Sequence, residues 1–218
     1  MKAGTTASLT VRTVTEWAAD PNADVSFITA AASQPSLPPV QAGLFDEPTA
    51  DVAAPEEGPQ VSIVDVREPG KVGGARFGEL VHALLATAPL GGSRADFEDV
   101  AVVQARILGA PDTERDAAVD AALRVSRHDL LVRAAAADAR GEARRECPVT
   151  FTARNGLLLE GIVDLAFVDE GRWVVVDFKT DREISHAGEA RYTKQVALYA
   201  AAIERATGQR AEAALVRI

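Results

Sequence analysis

The chain has 218 residues, 47% of them apolar, and a formal charge of −9 at pH 7. That is enough for one domain with an appendage and a substantial core, but it is not the basic surface of a protein that holds nucleic acid by bulk charge. The longest apolar stretches fall short of a membrane span, and Met1-Lys2-Ala3-Gly4-Thr5-Thr6 lacks the apolar run of a secretory signal. Cys147 is the only cysteine, which excludes an intrachain disulfide and a self-contained four-cysteine iron–sulfur cluster and makes a cytoplasmic location the expectation.

In chain order, residues 1–32 hold a modest helical stretch around Val11–Ala19, with Trp17 as a docking residue, and the sequence assigns this segment no role. Residues 33–60 are rich in Pro, Ala and acids and read as a disordered linker. Residues 61–218 form the main domain. A helix spans Gly74–Leu85, where Gly78 and His82, four apart, share one face. Asp112–Arg140 is Ala-rich with helical spacing, opens on Pro111-Asp112-Thr113-Glu114, and predicts one long helix or two shorter ones. Strands follow at about 147–154, 157–168 and 172–179, with Glu146 beginning the first. Asn155-Gly156 and Asp169-Glu170-Gly171 supply the turns of an antiparallel meander. Glu189–Ala206 is the last helix, ended by Thr207-Gly208, and Glu212–Ile218 is a final strand.

The chemistry sits at the end of the third strand. Side chains alternate along a strand, so Trp173, Val175, Asp177 and Lys179 share one face while Val174, Val176 and Phe178 share the other. A carboxylate and an ammonium leaving an apolar strand together need partners, because buried charge is costly alone. Asp164, on the neighbouring strand, offers a second carboxylate, and the two make a hard oxygen site suited to Mg²⁺ or Mn²⁺. Beside such an ion Lys179 could orient a water or offset charge on a phosphate. The bland alternative for Lys179 is a surface ion pair with Asp181.

Gly161-Ile162-Val163-Asp164 followed by Val176-Asp177-Phe178-Lys179-Thr180 resembles the PD-(D/E)XK nuclease superfamily. The likeness is to its RecB-type branch, found at the C-terminal end of helicase–nuclease subunits such as the beta chain of exodeoxyribonuclease V and AddA. Upstream, Gly78-x-x-x-His82 is similar to the branch's metal-binding helix; downstream, Gln195-x-x-x-Tyr199 is similar to its Gln-x-x-x-Tyr helix. The four motifs occur in the family's order over about residues 74–218. The resemblance implies a mixed α/β fold, with a restriction-endonuclease-like central sheet flanked by helices. It also implies an Mg²⁺- or Mn²⁺-dependent deoxyribonuclease of exonuclease type acting in DNA double-strand-break repair and recombination. His82, Asp164, Asp177 and the Phe178 backbone carbonyl are then the expected metal ligands. Lys179 is catalytic, Gln195 and Tyr199 position substrate, and Glu146 is an accessory group.

DNA is the expected partner, with a helicase subunit or helicase domains beside it and no membrane. The sequence carries no phosphate-binding Gly-x-x-x-x-Gly-Lys-[Ser/Thr] loop, so ATP-driven unwinding falls to that partner. The acid excess lies mostly in the head: residues 1–75 hold 4 basic and 10 acidic side chains, residues 76–218 hold 19 and 22. Weak DNA capture by the chain alone follows, and the competing expectation is a catalytically silent module that binds a DNA end or a helicase.

Overall fold

A computed structural model describes residues 10–20, 59–68, 73–153, 156–181 and 186–218. In chain order the elements are β1 (Val11–Thr13), α1 (Val14–Ala18), β2 (Val61–Asp65), α2 (Ala75–Thr87), α3 (Arg94–Leu108) and α4 (Asp112–Ser126). They continue with α5 (Asp129–Ala139), β3 (Ala143–Thr152), β4 (Leu158–Asp169), β5 (Arg172–Lys179), α6 (His186–Thr207) and β6 (Ala211–Arg217). The predicted linker at 33–60 lies outside the described residues apart from its last two.

The expected mixed α/β architecture is present. Strands β3, β4 and β5 form the antiparallel meander, with Arg145 opposite Leu165 and Val168 opposite Trp173. Its second turn places Glu170 and Gly171 at φ +48° and +77°, the left-handed pair that matches strand twist in a two-residue hairpin. The sheet then becomes parallel: β6 lies along β5, and β2 along β6. Six strands result, ordered β1-β4-β5-β6-β2, with β3 also on β4.

Two apolar layers cover the sheet. On one face Leu165, Phe167, Val174, Val176, Phe178 and Val216 pack against α2–α5; on the other Leu159, Val163, Val175, Ala213 and Leu215 pack against α1 and α6. The alternation predicted for β5 therefore holds. Residues 112–140 form two helices, and His128 marks the break by accepting a hydrogen bond at Nδ1 from Leu130 N–H at 3.2 Å as the N-cap of α5. Helix α3 opens on a capping box, Ser93 with Asp96, and closes on Gly109 at φ +64°.

One local expectation changes. Val11–Thr13 is a strand, parallel to Leu158–Glu160, and only Val14–Ala18 is helical. Thr13 caps that helix in a box with Glu16, and Trp17 is buried in the α6-side layer, so the docking expected of Trp17 is seen.

Candidate active site

The edge of β4 facing β5 is shared. β5 pairs with it only from Leu165 to Asp169, and β1 takes Leu158 to Glu160. Among the described residues, Gly161–Asp164 between them has no strand partner on that edge. Where the β4–β5 ladder stops, Asp164 Oδ2 accepts a hydrogen bond from Phe178 N–H at 2.7 Å, so a side chain replaces a backbone carbonyl as that group's partner.

Both neighbouring strands change face at this level. The β3–β4 ladder steps from Arg145–Leu165 to Cys147–Val163, passing over Glu146 and Asp164, and Glu146 holds φ +48°. On the α2 side Arg145 donates to the Leu85 and Ala88 carbonyls closing that helix, at 3.3 and 2.5 Å, whereas Cys147 packs into the α6-side layer. Leu165 and Val163 divide the same way. This interruption, with one residue passed over on each strand, turns the side chains next to it to the opposite face, and it leaves Asp164 where it can meet a residue of α2.

That residue is His82, whose Nδ1 lies 3.7 Å from Asp164 Oδ1. Burial lowers the affinity of the imidazole for a proton, but the hydrogen bond and charge of Asp164 outweigh it and hold the His82 pKa above its usual value. The edge of the His82 ring meets Phe178, centroids 6.2 Å apart. Gly78, one turn earlier, makes room for Thr180: a Cβ there would stand 2.5 Å from Thr180 Oγ1.

Asp177 is only 2% exposed. Burial pushes its carboxyl up to about 6, against the pull of Lys179 and with the help of Asp164. Lys179 Nζ stands 2.6 Å from Asp177 Oδ2, yet that oxygen lacks a partner in hydrogen-bond geometry. Burial also disfavours the ammonium, and Asp177 more than compensates, so Lys179 is held above its usual range. The two shifts pull oppositely on the pair: burial favours the neutral carboxyl of Asp177, and the nearby carboxylate favours the charged ammonium of Lys179.

Helix α6 closes the other side. Gln195 is buried, donates from Nε2 to the Tyr199 hydroxyl at 3.4 Å, and leaves Oε1 unpartnered. Tyr199 lies against Gly161, where a Cβ would be 2.6 Å from both its Cε1 and its hydroxyl oxygen. Burial raises the Tyr199 pKa, and Asp177 adds to this. Gln195 and Tyr199 are thus buried side by side on α6. Glu146 is exposed, its pKa raised by burial of the carboxyl and by Asp164. Asp181 accepts a hydrogen bond from the Tyr192 hydroxyl, so Lys179 is paired with Asp177 and not with Asp181.

Among the described residues no three His, Cys, Asp or Glu side chains stand close enough together to hold a metal as they lie. His82 is matched with Asp164, and Asp177 with Lys179. The donor set nevertheless suits a hard divalent cation: two carboxylates, an imidazole and, at Asp177 Oδ2, a buried oxygen without a directional hydrogen bond. Reasoning from the sequence missed two contacts, Gly161 with Tyr199 and Tyr192 with Lys179. Gly161 was legible as a glycine inside an apolar strand, a signal of close approach.

A family model described as the PD-(D/E)XK nuclease superfamily matches residues 61–218. The chain belongs to that superfamily. Its sheet, with Asp164 on one meander strand and Asp177-x-Lys179 ending the next, is the restriction-endonuclease-like α/β arrangement of these nucleases. The chain is also similar to an ATP-dependent helicase/nuclease subunit of Lysinibacillus sphaericus (strain C3-41), 35% identical over 77 residues, which cover 29% of this chain and 6% of that protein. The chain thus matches a small part of that relative, and the match is consistent with a RecB-type nuclease domain. No described helix is long and apolar enough to cross a membrane.

Proposed function

We propose that this nuclease module is a divalent-metal-dependent deoxyribonuclease of exonuclease type that works with a helicase in double-strand-break repair and recombination, in the cytoplasm. The observation that carries the reading is the gap in the β4 edge, which gathers Asp164, Asp177, Lys179 and His82 from three elements. His82, Asp164, Asp177 and the Phe178 carbonyl would hold Mg²⁺ or Mn²⁺; when bound, the ion supplies a water of lowered pKa and offsets phosphate charge. Lys179, released from Asp177, presents its ammonium to the non-bridging phosphate oxygens and the attacking water. Gln195 keeps an amide oxygen free to orient that water, and Tyr199 fixes the amide. Glu146, at the rim, is the accessory acid. The helicase reading rests on the similarity to a helicase/nuclease protein and on the acidity of the chain, which favours capture of DNA through a partner.

Asp177→Ala is expected to abolish both Mn²⁺ binding in calorimetry and DNA cleavage. Lys179→Ala is expected to keep the ion and to slow cleavage by ~10² or more, the scale of one preorganised charge-stabilising group. Assays belong at low salt and high DNA concentration, with and without the helicase. If the unmutated chain binds DNA ends under those conditions but cuts nothing with either metal, it is a silent binding module and the enzyme reading fails.

A further inference from the structure

We infer that Tyr192 is a positioning residue for Lys179, a role that deepens the nuclease reading above and rests on it for its catalytic meaning. Lys179 Nζ lies 4.9 Å from the centroid of the Tyr192 ring, in cation–π range. The ring is itself fixed: its hydroxyl donates to the Asp181 carboxylate and accepts from Arg191 at 3.0 Å, and the Arg191 guanidinium also lies against the ring, 4.8 Å from its centroid. Asp181 follows β5 and Tyr192 belongs to α6, so this contact ties the strand that carries Lys179 to the helix that carries Gln195.

Lysine is a flexible stem with a point charge, and its direction is set by what surrounds the ammonium. In the structure two groups do this, the Asp177 carboxylate at 2.6 Å and the Tyr192 ring. They are not equivalent. When Asp177 turns to any other cationic partner, Lys179 loses its counter-charge and its strongest restraint. The ring is neutral, makes no competing ion pair and stays in place, so it becomes the group that keeps the ammonium aimed into the gap.

The test has one readout that needs no catalysis. Reductive methylation of the metal-free full chain, followed by peptide mass spectrometry, measures how readily the Lys179 amine is reached, with Lys2 as the internal reference. Tyr192→Leu should methylate at Lys179 several-fold faster than the unmutated protein, and Tyr192→Phe, which keeps the ring, should stay closer to it. Equal rates for the Leu variant and the unmutated chain, or for the Leu and Phe variants, overturn the role of the ring. Should Tyr192→Leu fold poorly, Tyr192→Met, which also lacks the ring but fills much of its space, takes its place; labelling equal to that of the unmutated chain there counts equally against the inference. In cleavage assays Tyr192→Leu should lower kcat roughly ten- to a hundredfold with KM unchanged, Phe should restore most of it, and Tyr192→Leu should add nothing to Lys179→Ala. An additive loss overturns the coupling. An unmutated chain inert in cleavage would sink the nuclease reading, while the labelling would still decide whether Tyr192 holds Lys179.

Discussion

The two faces of the sheet are built to different rules. Toward α2–α5 the layer is mostly apolar: Phe167, Leu84 and Leu131 are sealed, Arg94 pairs with Asp120 and Arg124 with Glu68 at the surface, the buried Glu114 is matched by Arg76, and only His82 reaches the site. Toward α6 the layer contains a buried carboxylate, a buried amide with an idle oxygen and a tyrosine pressed against a glycine. Burying such groups without full partners costs stability. The difference teaches that the α2 face is built mainly for folding and lends the site His82, while the α6 face gives up part of its apolar packing to hold the buried polar groups.

The comparison is broken most severely on the apolar side. Phe167→Ala removes a fully buried ring and should cost ~3–5 kcal/mol, a fall in Tm of about 10 °C for a domain of this size, read by calorimetry. If the protein stays folded, calorimetric Mn²⁺ affinity should be nearly unchanged, because the ring faces away from Asp177.

A smaller effect is expected at the contact between β4 and α6. Gly161→Ala forces a Cβ to within 2.6 Å of Tyr199 and should cost ~1–3 kcal/mol as overpacking. Adding Tyr199→Leu should recover part of the lost Tm, since the ring atoms that collide are gone. Additive losses in the double variant would show that the strain is not at this contact.

The smallest effect sharpens the contrast through pH. Folding raises the Asp177 carboxyl from 3.8 to about 6, so between those values the folded protein holds a proton that the unfolded chain has released. Stability therefore falls as pH rises through that window and levels off above it. In EDTA, the Tm of the unmutated protein relative to Asp177→Asn should decline by at least about 2 °C from pH 4 to 6.5. The raised pKa of His82 acts in the same direction but above its ordinary value, beyond the window measured. A flat difference would remove burial of the Asp177 charge as a cost of the site.

What the sequence disclosed was local. Turn residues and alternation located the meander, Asp177-x-Lys179 and Asp164 declared their chemistry, and four-residue spacing placed Gly78 with His82 and Gln195 with Tyr199. The α3 helix was not predicted, although Ser93-Arg94-Ala95-Asp96 is a capping signal. Short β1 and β2 were not readable. Three and five residues show little periodicity, and what makes them strands is a free edge far along the chain, on β4 for one and β6 for the other. The left-handed backbone of Glu146 was hidden for a related reason: nothing in a glutamate announces an interrupted ladder, which two strands make together. His82 was recognised by motif, but its pairing with Asp164 depends on that same interruption.

The shared edge of β4 also bears on how the molecule assembles. Both carboxylates belong to the β3–β5 meander, whose pairings close within a few tens of residues and so form early. Val11 must find Leu158, and Val61 must find Ala213, encounters that carry a large loop-closure entropy and slow folding. During synthesis these N-terminal strands wait for partners made late. The edge that β1 completes is thus put in place last. In a Trp173→Phe background, a refolding experiment should show secondary structure of the meander well before Trp17 fluorescence reports the completed edge.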